Sequence, residues 1–294
     1  MIIVKLMGGL GNQMFQYAAA RRLAVINRTT LKMDLGFLLD RTPRENFVYR
    51  NYELNLFNIQ EKIAGPDEVA LFLGKQSGFF QKSITRLKTG CMLGKPVNIH
   101  EPHFHFYPEL LTAPKNAYLD GYWQSEKYFK DIEAIVRVEF TFRKNFDEKS
   151  QKLARRIQSV NSLCVHVRRC DFVANPTHGT MSIQYYQDGL NLLVDKITSL
   201  QIFVFSDDIP WCIQNLVFEV PIFFVGDDYA GERFGDYLHL MTLCKYFIIP
   251  NSAFGWWAAW LCSFPEKVII APKQWFQDVQ HDTRDVIPDH WIRI

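Results

Sequence analysis

Arg168 and Arg169 stand side by side in the run His166-Val-Arg168-Arg169-Cys-Asp171. A guanidinium stays charged at any working pH, and its planar fork matches two oxygens of one phosphate. The run therefore points to a phosphorylated ligand; its plainer reading is a solvated arginine pair bridged to Asp171. More residues of suitable chemistry follow: Ser206-Asp207-Asp208, Asp236, and Asn251-Ser252-Ala253-Phe254. Near the start lies the glycine-rich Gly8-Gly9-Leu-Gly11-Asn12-Gln13. A side-chain-poor loop that opens a helix exposes free N–H groups, which favour an anion or a sugar oxygen. Capping is the competing role for Asn12, Asp236 and Ser252, because Asn, Asp and Ser cap helices well.

The surrounding pattern says where these residues stand. Short apolar runs at 163–167, 201–205, 222–225, 247–249 and 267–271 predict strands, and helical runs near 183–198, 210–216, 237–245 and 253–262 separate them. Strands joined by helical crossovers form a parallel, doubly wound sheet. Each chemical group above falls just beyond a strand or at a helix opening, which is where such sheets bind ligands. At the N-terminus, residues 2–6 predict a strand and 30–34 a second, with Phe15, Ala19, Leu23 and Ile26 sharing one face of the helix between them. A dinucleotide fingerprint fails there, because Met14 occupies the place of the third glycine. No Walker lysine follows the other glycines, since Gly74-Lys75 and Gly94-Lys95 lack a following Ser or Thr. Residues 117–121 predict a further strand running into Tyr122-Trp123-Gln124-Ser125, with a helix from about Ser125 to Phe140. The polar run 143–152 marks a domain boundary, giving domains 1–150 and 151–294.

The totals bound the partners. A net charge of +2 over 294 residues leaves no general nucleic-acid or membrane footprint, so any anion site is local. Aromatic residues make up 15% of the chain, enough for a Phe-rich core with flat faces left over for sugar stacking. The six cysteines, Cys91, Cys164, Cys170, Cys212, Cys244 and Cys262, form no C-x-x-C pair and read as reduced thiols. The opening Met1-Ile-Ile-Val-Lys carries no signal-peptide pattern. The apolar run 247–264 is broken by Pro250, Asn251, Ser252 and Gly255, so it reads as strand, turn and helix rather than a membrane span. His103 and His105 share one strand face in this reading, close to His100 and Glu101, but no convincing third ligand completes a metal site.

His166-Val-Arg168-Arg169-Cys-Asp171 resembles the H-x-R-R-x-D signature of GDP-fucose-dependent fucosyltransferases, above all the bacterial α-1,2-fucosyltransferases of glycosyltransferase family 11. The resemblance runs from residue 8 to residue 291 and includes Tyr122-Trp123-Gln124-Ser125-Glu126-Lys127. Cys170 stands where glycine is common, and Ala253 and Gly255 replace two serines of N-S-S-F-S-W-W. The resemblance implies a GT-B-like α/β fold: two Rossmann-like domains facing a cleft, the first on the acceptor side and the second, with its parallel sheet and returning tail, binding GDP-fucose. It implies that His166 and Asp236 read guanine, that Arg168 and Ser252 hold the diphosphate, and that Arg169, Ser206, Asp207, Asp208, Asn251, Ala253 and Phe254 complete the donor site. It places Asn12 nearest the reacting centre, flanked by Gly11 and Gln13, makes Asp171 a catalytic candidate, and gives Tyr122, Trp123 and Gln124 to the acceptor.

The implied reaction is metal-free, cofactor-free inverting transfer of L-fucose from GDP-β-L-fucose to the 2-hydroxyl of a terminal β-galactoside in a surface glycan or O-antigen. Its alternatives are a GDP-sugar-binding protein without turnover and a fucosyltransferase of other linkage. The implied location is the cytoplasm, with at most peripheral contact to a lipid-linked acceptor at the inner face of the membrane.

Overall fold

β1 (Ile2–Lys5) is almost wholly apolar, and three of its four residues are buried. A computed structural model describes residues 1–45, 47–74, 94–175, 177–277 and 280–294, so Lys75 and Cys91 lie outside the described residues. By its internal contacts the chain forms two units, Met1–Thr141 and Phe142–Ile294. Residues 142–150, assigned to the first domain from sequence, therefore go with the second.

In the first unit β1 is followed by the helix Leu10–Ile26 and then β2 (Leu31–Asp34), which pairs parallel with β1. β3 (Val97–His100) and β4 (Ala117–Asp120) complete a parallel sheet of order β2-β1-β4-β3. Phe15, Ala19 and Leu23 are buried as expected, but Ile26 is 54% exposed at the end of the helix. The helix buries residues around much of its circumference, so no single stripe describes it.

The second unit holds β5 (Asn161–Val167), β6 (Leu200–Ser206), β7 (Ile222–Phe224), β8 (Tyr246–Ile248), β9 (Val268–Ala271) and β10 (Ile292–Arg293). Their order is β10-β9-β8-β5-β6-β7 and every pairing is parallel. Alternation divides β5 between two cores. Leu163, Val165 and Val167 pack with Tyr186, Leu190 and Leu193 of the helix Ile183–Val194. Cys164 and His166 point to the other face, and Cys164 lies near Cys244 and Cys262. The described cysteines are free thiols. The tail packs on this unit, with Trp275, Phe276 and Trp291 buried, β10 pairing with β9, and Trp256 Nε1 donating to Val286 O at 2.8 Å.

The second unit's sheet reverses its strand order once, between β5 and β8. Open α/β sheets bind ligands beyond the carboxyl ends of the strands at such a switch point.

Candidate active site

The second unit's switch point is flanked by the residues that follow β5 and β8. Adjacent side chains at a strand end diverge, and the two arginines do so. Arg168 pairs with Asp171, lies 3.0 Å from Asp207 Oδ2 through Nη1, and covers the Phe172 ring at 5.3 Å. Arg169 turns away, donating from Nε to Asp208 Oδ2 at 3.2 Å and lying on the Trp211 ring at 3.8 Å. Its main-chain N–H donates to Asp207 Oδ1 at 2.8 Å, which ties the end of β5 to the end of β6. A short helix, Cys170–Val173, places Asp171 under Arg168. Cys170 donates its thiol to Asp207 O at 3.0 Å.

Ser206, Asp207 and Asp208 shape the loop as much as they line it. Ser206 Oγ accepts from Asp208 N at 2.9 Å, and Asp208 Oδ1 caps the helix Ile209–Asn215 by accepting from Trp211 N at 3.1 Å.

On the β8 side, the helix Ala253–Leu261 opens at Ser252, whose side chain makes no capping hydrogen bond. The hydroxyl is therefore available to an oxyanion, next to main-chain N–H groups that carry a partial positive charge. Asn251, 2% exposed, donates from Nδ2 to His178 O (2.8 Å) and Trp275 O (3.0 Å), while its Oδ1 is buried with no partner among the described residues. His166 is 6% exposed, its Nδ1 likewise lacks a partner, and the Phe254 ring lies 5.8 Å away. Burial, reinforced by Arg168, pushes the His166 imidazole down to about 3, so it is neutral at working pH. A Cβ on Gly255 would stand 2.5 Å from His166 Nδ1, so a residue without a side chain is what lets the ring sit there.

Asp236 lies on the first turn of the helix Gly235–Thr242. The N-cap is Phe234, so Asp236 is not the cap that the sequence allowed. Its carboxyl lies against Gly231, with Asp147 and Lys144 as its charged neighbours, and burial raises its pKa. These neighbours differ from those of Arg168 and Arg169.

One residue of this site carried no sequence signal. His178 follows the arginine loop, with its ring 4.7 Å from Phe172 and 5.1 Å from Phe276. Its Nδ1 is buried without a partner among the described residues, burial lowers its pKa, and Asp171 and Arg168 act on it with opposite signs. A lone histidine in a polar loop looks like any surface histidine.

In the first unit, Gly11 is buried and Asn12 half-buried at the start of the helix that follows β1. Gly9 is the N-cap, so Asn12 does not cap; its Oδ1 accepts from Gln124 Nε2 at 2.7 Å. That bond links the loops after β1 and β4, which are adjacent strands of the first sheet. Gln13 is reassigned: fully buried, it donates to Gly8 O (2.9 Å) and Asn51 O (2.8 Å) and accepts from Glu53 N (3.0 Å), so its amide holds the fold rather than a donor. Trp123 is also reassigned, being 0% exposed and edge-on to Tyr128 at 5.6 Å, in the core and not on a sugar-stacking face. Tyr122 is half-buried and stacks on Phe104 at 6.4 Å. His103 and His105 lie beyond β3 in a bend, with rings stacked at 3.4 Å, instead of on a strand. No cluster of His, Cys, Asp and Glu suited to a metal occurs among the described residues.

The sequence matches the family described as glycosyl transferase family 11 over residues 103–294. It is 31% identical to an alpha-1,2-colitosyltransferase of Escherichia coli, across 100% of this chain and 98% of that protein. It is 28% identical to the O-antigen biosynthesis glycosyltransferase WbnK of Escherichia coli, across 98% of this chain and 99% of that protein. Over 49% of this chain and 41% of the relative, it is 30% identical to a galactoside 2-alpha-L-fucosyltransferase SEC1 of Bos taurus.

Proposed function

We propose, from the premise that this chain belongs to glycosyl transferase family 11, that it transfers a 6-deoxy-L-sugar from a GDP donor to the 2-hydroxyl of a terminal β-galactoside. L-Fucose is the first candidate sugar. The full-length colitosyltransferase relative favours colitose, L-fucose without its 3-hydroxyl, as the second. The O-antigen relative supports a surface-glycan acceptor.

The observation that carries the reading is that Arg168, after β5, and Ser252, after β8 with a side chain that caps nothing, flank one switch point. Breaking the anomeric C–O bond leaves its electron pair on the β-phosphate, and a fixed guanidinium and a helix N-terminus stabilise that charge as it develops. In this reading the acceptor oxygen attacks the opposite face of the anomeric carbon in one displacement, with inversion. His166 and Asp236 are assigned to guanine, whose N1–H and N2–H one carboxylate can accept together; adenine offers no such pair. Arg168 and the Ser252 helix take the place of a divalent ion in this proposal, so turnover is expected to persist in excess chelator. The reaction is proposed for the cytoplasm, at most peripheral to the inner membrane face; no helix among the described residues is long and apolar enough to cross a membrane.

Incubation with labelled GDP-fucose or GDP-colitose and a panel of β-galactosides, followed by linkage analysis, tests the reading. Melting curves with GDP, ADP and UDP test the base. An α-1,2 product and a selective GDP shift are expected. Equal shifts for all three nucleotides would remove the guanine assignment, and restoration of a chelated enzyme only by manganese or magnesium would remove the arginine-for-metal assignment.

A further inference from the structure

The loop between β7 and the helix Gly235–Thr242 follows the carboxyl end of an edge strand of the second sheet. Two consecutive residues in it, Arg233 (φ 53°, ψ 34°) and Phe234 (φ 61°, ψ 20°), hold left-handed backbone. Neither is glycine, and a bulky side chain at positive φ persists only where its surroundings over-determine it. Here they do. Lys144 Nζ pairs with Glu232 Oε2 at 2.6 Å, and Lys149 pairs with Asp228 while lying over the Tyr229 ring at 4.2 Å. Ala230 O accepts from Asp236 N at 3.1 Å and from Tyr237 N at 3.3 Å, which closes the loop on itself. This strained backbone does not bury its side chain. Phe234 is 48% exposed, the most exposed aromatic among the described residues.

Ring contacts tie Phe234 to the donor residues, all within the second unit. His166 of β5 and Phe205 of β6 are register partners, so their side chains share one face of the sheet. Phe205 packs edge-on to Tyr237 at 5.6 Å, and Tyr237 meets Phe234 at 6.0 Å. Tyr237 is itself fixed, its hydroxyl donating to Val225 O. The row of rings therefore runs from the His166 face to Phe234, and Asp236 stands two residues further along the chain, on the first turn of the helix.

We propose that Phe234 is the platform on which the nucleobase of the donor stacks, a role that rests on the GDP donor proposed above. A base has a flat π-face and a polar edge. Stacking on Phe234 takes the face and leaves the edge to Asp236 and His166. Every base has such a face, so Phe234 supplies affinity, while the choice among bases stays with the carboxylate. The pinned left-handed backbone presents the ring before the nucleotide arrives, and a group held in its bound position costs less ordering when the ligand binds.

The test is the Kd for GDP, ADP and inorganic pyrophosphate, by calorimetry, for the wild type, Phe234→Ala, Phe234→Tyr and Phe234→Trp. Phe234→Ala is expected to raise the GDP Kd about ten- to a hundredfold, the ADP Kd by a similar factor, and the Kd for pyrophosphate, which has no base, by less than about twofold. Phe234→Tyr keeps a ring and is expected to bind GDP within about threefold of wild type. Phe234→Trp adds a reporter: its extra emission should be quenched by GDP and not by pyrophosphate, which a ring that only packs on Tyr237 would not show. A Phe234→Ala protein that binds GDP within about twofold of wild type, or that loses pyrophosphate as much as GDP, would overturn the platform. If Phe234→Ala does not fold, Phe234→Trp emission that stays unquenched at saturating GDP overturns it equally well. A wild type that binds no GDP removes the donor reading and the platform together. GDP binding that is indifferent to Phe234 removes only the platform.

Discussion

Arg168 is engaged by two carboxylates, Asp171 and Asp207, before any nucleotide arrives. A diphosphate must compete with both for the same fork, so its geometry decides more than its charge. Lysine carries the charge without the fork. Arg168→Lys and Arg168→Ala are therefore each expected to lower kcat by about a hundred- to a thousandfold while GDP still binds; a Lys variant with near-normal turnover would place the diphosphate elsewhere. Arg169 acts differently, because its guanidinium holds Asp208 and lies on Trp211. Arg169→Ala is expected to cost about 1–2 kcal/mol of stability, visible in a melting curve. Gly255→Ser brings the family's usual residue into a place where a Cβ meets His166 Nδ1 at 2.5 Å. It is expected to raise the donor KM more than it lowers kcat; an unchanged donor KM would separate His166 from the nucleotide.

At the scale of elements, the sheet was legible because β5 to β9 are short apolar runs joined by helical crossovers, and they stand within two residues of their expected bounds. β10 escaped notice because two residues, Ile292 and Arg293, carry no period. The helix expected from Ser125 to Phe140 forms only as Glu133–Glu139, after short turns at Glu126–Tyr128 and Lys130–Ile132. Phe129 and Ile132 take non-helical backbone angles, while Tyr128 packs against Trp123 and accepts from Tyr107 N at its hydroxyl. Tertiary packing overrides helix propensity there, which periodicity alone does not reveal. The arginine loop was legible as a motif, whereas His178 was not singled out, because its place beside Asn251 and Phe276 depends on chain segments distant in sequence. Asn251 shows the same dependence, since one amide secures both the His178 and the Trp275 main chain. Asn251→Ala leaves those carbonyls without it and is expected to cost about 2 kcal/mol, a fall in Tm of about 4–8 °C for a unit of this size. An unchanged Tm would mean that water satisfies both carbonyls equally well.

At the scale of the molecule, the two units carry buried titrating groups of opposite sense. In the first, Glu101 is raised from 4.5 to about 7. The folded state then binds its proton more tightly than the unfolded chain, so the stability this gives is present below 4.5 and is lost as pH rises through about 7. In the second, His166 is lowered from 6.5 to about 3, and His239, between Phe142 and Phe146 at 4.1 Å on either side, to about 4. Their contribution is present above 6.5 and is lost as pH falls towards those values. His178, lowered by burial, acts in the same sense. Each fully linked group contributes about 1.4 kcal/mol per pH unit. The Met1 amine, lowered from 8.0, acts against the trend in the first unit, and Asp236, raised from 3.8, does so in the second. Moving from pH 7 to pH 5 is therefore expected to protect the first sheet and loosen the second. Amide hydrogen exchange, corrected for intrinsic rates, reads both at once: protection should rise in β1 and β4 and fall in β5 and β8. Glu101→Gln should remove much of the rise without touching the fall. Protection that moves in one direction across both sheets would show that these buried groups do not govern the acid response.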